Sequence, residues 1–215
     1  MPNGTNSSPD LSYPRGAGAA SDPDAQLVEA ARAGDLGAFE TLVSRHQKRM
    51  LNIAYRFVDD YDEACDIVQE AFVSAFRHIG AFRGDAKFST WMTTITVNCA
   101  RNRLQQLKAK KGHEAFSLDE PIDGPDGDLM RDPPSDDPSA LRKLEQEEIR
   151  ARVQQCVRRL EPEFREVLVL RDLQDFSYEE ISGILNLRAG TVKSRLFRAR
   201  EMIKECLKRV LGDLV

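Results

Sequence analysis

Three aromatic side chains, Phe82, Phe88 and Trp91, fall within the ten residues FRGDAKFSTW, although the chain is only 7% aromatic and has one tryptophan. Gly84 and Asp85 favour a turn at the centre of the stretch, and Arg83 and Lys87 add positive charge. A loop of this composition is either a plug whose rings seat in the core or a platform for a flat, negatively charged group. Stacking on such rings is worth ~1–3 kcal/mol per base. A second concentration lies at 191–209, where seven cations stand against Glu201 and Glu205. Other chemistries lack their residues. His46, His78 and His113 are scattered, Cys65, Cys99, Cys156 and Cys206 form no C-x-x-C pair, and the carboxylates have no metal or acid–base spacing. No catalytic group, metal or cofactor is therefore expected. The four cysteines lie in helix-like patterns and are expected to be buried and reduced, as in a cytoplasmic protein, rather than joined in a disulfide or a zinc site.

The net charge of -4 conceals a segregation. Residues 101–111 carry five cations and no acid, whereas 112–139 carry nine acids against Arg131 alone. Two basic segments thus flank an acidic spacer, which points to a polyanionic partner more than the sum does. No apolar run approaches the roughly 20 residues that cross a bilayer, and the N-terminus lacks the pattern of a secretory signal. No membrane insertion is expected.

These groups need elements to hold them. Residues 1–22, rich in Pro, Gly, Ser and Asn, read as a disordered tail. Residues 112–139, with five prolines and few large apolar side chains, read as a flexible acidic linker. It separates residues 23–111 from 140–212. Both halves have helical periodicity and no sustained alternation, so the expected fold is all-α, with two small helical domains.

In the first, a short helix ends at Gly34 and a longer one runs through DLGAFETLVSRHQKRMLNIAYRF. A third, capped by Asp62, carries the stripe Ala64, Ile67, Val68, Ala71, Phe72, Ala75, Phe76 and Ile79. A fourth, capped by Ser89 or Thr90, continues into the basic run. In the second, a helix with Leu141, Leu144, Ile149, Val153, Val157 and Leu160 inward is followed by one opened by Pro162. Ser177 and Glu180 then form a capping box, a turn at about 186–190 draws on the freedom of Gly190, and a basic helix follows. That is a helix-turn-helix, against the plainer alternative of a helical hairpin with a solvated charged face.

With both halves in view, DEACDIVQEAFVSAFRHIGAFRGDAKFSTWMTTITVNCARN and LEPEFREVLVLRDLQDFSYEEISGILNLRAGTVKSRLFRARE resemble the extracytoplasmic-function (ECF) group of bacterial sigma factors, in the sigma-70 family. The resemblance extends from about 24 to 210. It implies a non-catalytic protein that binds core RNA polymerase and directs promoter recognition, DNA melting and transcription initiation. The first domain would bind the −10 element and the second the −35 element. The partners so implied are polymerase, through the β′ coiled-coil and the β flap, promoter DNA and an anti-sigma factor.

On this resemblance the aromatic loop captures a base flipped from the melted strand, an extrusion that costs a few kcal/mol. Phe82 is assigned to the pocket, Asn98 to the polar edges of the base, and Arg83, Lys87, Arg101 and Arg103 to phosphates. Phe88 and Trp91 stay open between stacking and core. The outward row Asp66, Gln69, Glu70 and Val73 is assigned to polymerase docking. Lys193, Ser194, Phe197 and Arg198 are assigned to the −35 major groove, with Arg195 and Arg200 as additional cations. The linker's 28 residues span at most ~90–100 Å extended and nearer ~30 Å as a coil. The two promoter elements lie roughly 75 Å apart at ~34–36 Å per turn. The free protein is thus expected to need polymerase to hold its domains apart. An ordinary helix-turn-helix repressor or activator would explain 177–209 but not the aromatic loop, and a helical hydrolase has no constellation to support it.

Overall fold

The computed structural model describes residues 22–114, 148, 149 and 151–211. The expected tail apart from Asp22, nearly all of the expected linker, and Leu141 and Leu144 lie outside them. All regular structure in the described residues is helical. The first domain comprises α1 (Ala25–Arg32), α2 (Leu36–Val58), α3 (Tyr61–His78) and α4 (Phe88–Glu114). The second comprises α5 (151–158), α6 (Pro162–Leu168), α7 (Tyr178–Leu185) and α8 (Ala189–Leu211). A single 3-10 turn, Ile79–Ala81, follows α3, and α6 runs on into a π-helical turn at Val169–Leu173.

The helix ends differ from the sequence expectation in three instructive places. Helix α3 is capped by Asp60, whose carboxylate accepts from the Glu63 N–H at 2.9 Å. Asp62 instead sits inside the first turn, where the positive end of the helix dipole favours it. Helix α4 begins at Phe88, so neither Ser89 nor Thr90 is its cap. The Phe88 N–H donates to Asp22 at 2.7 Å, a partner 66 residues upstream that no local pattern announces. In the helix-turn-helix, Asn186 takes the left-handed conformation (φ 52°), while Gly190 lies in the first turn of α8 with no positive φ. Asn is the residue after Gly that best tolerates this conformation, so the turn needed no glycine. The capping box is as expected: the Glu180 N–H donates to Ser177 Oγ at 3.1 Å and the Ser177 N–H to Glu180 at 2.8 Å.

Helix α4 is the hub of the first domain. From Thr90 to Val97 every residue is buried, and a helix buried all round normally has to be apolar. Here Thr93, Thr94 and Thr96 satisfy their hydroxyls internally by donating to the carbonyls of Ser89, Thr90 and Met92 at 2.8–3.0 Å. The α3 stripe packs inward as the pattern implies, except that Phe76 is half exposed and meets Phe39 edge-on at 5.0 Å. Ile149, expected on the inner stripe of its helix, is 49% exposed, whereas Val157 and Leu160 are buried.

The domains are docked on each other, and their buried side chains form one continuous cluster. Around that cluster lies a polar seam built on arginines. Arg49 donates to the side chain and the carbonyl of Gln174 at 3.1 and 2.7 Å and covers the Phe176 ring. Arg165 donates to the Phe57 carbonyl at 2.8 Å. From α5, Arg158 reaches the Tyr55 hydroxyl at 3.0 Å and pairs with Asp59, while Gln154 accepts from Arg56 at 2.5 Å. Arg101 grips Glu166 with two bonds of 2.8 and 2.5 Å. Burial lowers the pKa of Arg49 and Arg165 from the ordinary arginine value, countered by Glu180 and Asp175 for the first and Asp59 for the second.

The cysteine expectation fails for one pair. Cys156 of α5 and Cys206 of α8 form a disulfide with their Cα atoms 5.8 Å apart. Their separation of 50 residues argued against pairing only in sequence, because packing of α5 along α8 makes them neighbours. Cys65 and Cys99 are free.

Candidate nucleic-acid interface

The aromatic loop plugs the core and also borders a pocket. Phe82, Phe88 and Trp91 pack together, with ring centroids 4.9 Å apart for Phe82–Trp91, 5.8 Å for Phe88–Trp91 and 6.2 Å for Phe82–Phe88. Phe88 is wholly buried and also meets His46 at 5.3 Å. It is therefore a core residue, and its candidacy as a DNA contact is corrected. Phe82 and Trp91 are mostly buried too, yet one face of each lines a pocket open on one side, with His78, Ala81, Arg83, Asp85 and Ala86. The left-handed Gly84 (φ 75°) turns the chain at its rim. The rings that plug the core thus also wall the pocket.

The cations assigned to phosphates in this domain are not equivalent. Lys87 is exposed, and Arg83 is exposed with Asp85 at 3.1 Å. Arg103 is engaged by Glu63, with Asp66 at 3.7 Å. Arg101 is held by Glu166 of the other domain. Asn98 is half-buried on α4, seven residues or about two turns beyond Trp91, hence on the same helix face and roughly 10 Å along it. His78, passed over in the sequence because it has no ligand partner, is a wall of the pocket. Its Nδ1 is fixed 2.8 Å from the Ser74 carbonyl.

The basic helix sorts its charges in a similar way. Lys193, Ser194, Phe197 and Arg198 lie on the exposed face of α8, and Phe197 is 68% exposed. Arg195 and Arg200 are instead paired within the domain, with Glu163 at 2.7 Å and with Asp172 at 2.6 and 3.0 Å. A large aromatic ring left in water beside Lys193 and Arg198 is costly on a helix that only has to pack. Within the first domain, Asp66, Gln69, Glu70 and Val73 form an exposed ridge on α3, extended by Phe76 and by Tyr61 at its start.

Residues 42–110 match the family Sigma-70 region 2, and residues 150–203 match Sigma-70, region 4. The chain belongs to the sigma-70 family, in its ECF group. It is 38% identical over 193 residues to the RNA polymerase sigma-H factor of Pseudomonas aeruginosa, covering 89% of this chain and 97% of that one. It is 34% identical to the ECF RNA polymerase sigma-E factor of Haemophilus influenzae, covering 87% and 97%. Among solved structures it is similar to CnrH in complex with the cytosolic domain of CnrY, at 26% identity and a TM-score of 0.61, over 87% of this chain and 99% of that one. As a sigma factor it binds RNA polymerase and recognises promoters for transcription initiation. The pocket and α4 lie in region 2, and the capping box, turn and α8 in region 4. The family is one of transcription factors rather than enzymes. Among the described residues no helix is long and apolar enough to cross a membrane.

Proposed function

We propose that this sigma factor reads its promoter with two surfaces that differ in kind. The pocket that Phe82 and Trp91 line with His78 and Ala81 takes one unstacked base of the melted −10 element, with Asn98 reading its edge and Arg83 and Lys87 on the flanking phosphates. The exposed face of α8 enters the −35 major groove of intact duplex. There Arg198 and Lys193 supply base or phosphate contacts and Phe197 an apolar one, such as with a thymine methyl. Arg195 and Arg200 hold α8 to its own domain and do not meet DNA directly. The observation that carries this reading is on α8, where Phe197 is left 68% exposed beside Lys193 and Arg198, neither of which has a carboxylate partner among the described residues, whereas Arg195 and Arg200 are paired with Glu163 and Asp172.

The α3 ridge would seat on a helical partner, the β′ coiled-coil of polymerase, and the second domain on the β flap. The acting compartment would be the cytoplasm, with no catalytic step performed by this chain. CnrH is held by the cytosolic domain of CnrY, and an anti-sigma partner is proposed here by analogy. The docked state leaves Arg101 on Glu166, so polymerase must part the domains before Arg101 can reach a phosphate. Core polymerase with this protein on a random promoter library, with the transcripts sequenced, tests the reading. Asn98→Ala should shift preference in the −10 element alone and Arg198→Ala in the −35 element alone. Absence of transcripts from every template would overturn it.

A further inference from the structure

Helix α5 stands between the two parts of the molecule. On one side Gln154 and Arg158 bind Arg56, Tyr55 and Asp59 at the C-terminal end of α2. On the other, Cys156 is bonded to Cys206 of α8, and Arg152 donates to the Val210 carbonyl at 2.6 Å. Helix α5 thus carries part of the domain seam, and a covalent bond fixes it to its own domain. Cytoplasmic disulfides are uncommon and usually transient or redox-sensing.

We propose that Cys156 and Cys206 are a thiol–disulfide site whose state sets how firmly the domains stay docked. This rests on the promoter reading above only for its consequence, that a docked protein engages polymerase and promoter poorly. Oxidation requires a disulfide of low molecular weight, of the glutathione class, as oxidant. A protein thiolate attacks one of its sulfurs and expels the first thiol, leaving a mixed disulfide. The second protein thiolate then displaces the remaining half. Two protein S–H bonds and one small-molecule S–S bond are exchanged for one protein S–S bond and two small-molecule S–H bonds, a two-electron oxidation of the protein. Cys206 is the less buried of the two, at 8% exposed against 1% for Cys156. The other thiols are poor competitors for this role. Cys99 is pushed up to about 11 by burial and the neighbouring Glu70, which keeps its thiolate scarce. Cys65 lies on α3, away from any cysteine partner in the described residues. In the oxidised state α5 cannot leave α8, and its contacts with α2 persist. Once reduced, α5 is held only by non-covalent packing, and the seam at the end of α2 loosens with it.

The full-length protein, equilibrated in glutathione buffers from reducing to oxidising, is denatured, alkylated and weighed. Two alkylations are expected on the oxidising side and four on the reducing side. Four in every buffer would overturn the site. Domain separation, from energy transfer between dyes on non-cysteine positions, and association with core polymerase are then measured in both states. Reduction, and separately the Cys156→Ser/Cys206→Ser double substitution in oxidising buffer, should raise the open fraction and the association several-fold. Equal values in the two states would leave a structural bond and overturn the switch. So would a reduced protein that has lost its helical circular dichroism, since the bond would then be a requirement of folding. If the reduced protein makes no RNA with core polymerase while the thiol count changes as stated, the promoter reading fails and the redox site stands.

Discussion

Replacing Arg101 by alanine strikes the most buried ionic contact between the domains. The Glu166 side chain is 8% exposed and that of Arg101 31%, and their bonds form a two-pronged fork. Removing one partner of a fully buried ion pair costs ~3–5 kcal/mol, because the other is left as an uncompensated buried charge. Arg101 is nearly a third exposed, so water would replace part of its contribution, and ~2–3 kcal/mol is the appropriate figure here. The molecule can avoid that cost by undocking, which returns Glu166 to water. If docking is worth ~2 kcal/mol, about 97% of molecules are closed at the outset, at 1.4 kcal/mol per decade. A loss of ~2.5 kcal/mol would leave about a third of them closed.

Dyes placed by non-cysteine chemistry at Glu40 and Lys204, both exposed, report the closed fraction in the free protein. Expected is a large rise in the open population for Arg101→Ala and a smaller one for Glu166→Gln, which keeps an acceptor for one prong and removes the buried charge. Because no DNA is present, any role of Arg101 at phosphates does not enter the readout. A double-mutant cycle with Glu166→Ala should return a coupling of ~2 kcal/mol or more. Unchanged energy transfer together with an unchanged melting temperature in Arg101→Ala would show that the fork does not hold the domains, and the reasoning would fail.

Ser177→Ala removes one half of the capping box and should cost ~1 kcal/mol, read as a lower melting temperature of the second domain. Asn186→Gly should be neutral or stabilising, whereas Asn186→Val should cost ~1–2 kcal/mol, because only the latter is strained at φ 52°; equal melting for both would refute the role given to the turn. Phe197→Ala should leave melting unchanged and weaken binding to −35 duplex, while Arg198→Ala, if it meets a phosphate, should reduce the salt slope of that binding by about one. Burial holds the Asp59 carboxyl above its ordinary range despite Arg158 and Arg165, so the docked form binds its proton more tightly than the open form. The stabilisation this gives docking is present at acid pH and is lost as pH rises through the raised value; Asp59→Asn should flatten that part of the pH profile of the closed fraction.

What was legible in the sequence was whatever local spacing dictates. The α3 stripe, the capping box at Ser177 and the charge pattern of α8 all follow from periods of three and four. The charges of α8 were half legible: the four residues singled out as contacts are all exposed, but so is Arg200, and only the fold shows that Arg195 and Arg200 are occupied by Glu163 and Asp172. What depends on distant partners was not visible. Asp22 caps α4 from 66 residues away, and Cys156 meets Cys206 only because α5 lies along α8. The aromatic loop was ambiguous for a physical reason, since a ring can seal a core with one face and line a pocket with the other. Domain docking left no trace in either half alone, because its seam is made by arginines that each half presents as ordinary surface charge.

That seam explains how a docked protein can be opened without being unfolded. Interfaces between domains in one chain usually permit motion unless they are large and apolar. Here an apolar contact is ringed by Arg49, Arg101, Arg158 and Arg165. A guanidinium that grips a carboxylate with two parallel bonds grips a phosphate in the same way, so an Arg101 that left Glu166 for DNA, as the resemblance implies, would lose little bonding. The freed Glu166 gains water rather than remaining buried and bare. The cost of opening is then mainly the apolar contact, and polymerase binding to both domains at a fixed separation has to supply it. On this account Arg101→Lys, which keeps the charge and loses the fork, should open the free protein while leaving polymerase-dependent transcription within a few-fold of the parent. A transcription loss as deep as that of Arg101→Ala would show that the fork is needed on DNA and that the exchange is not symmetric.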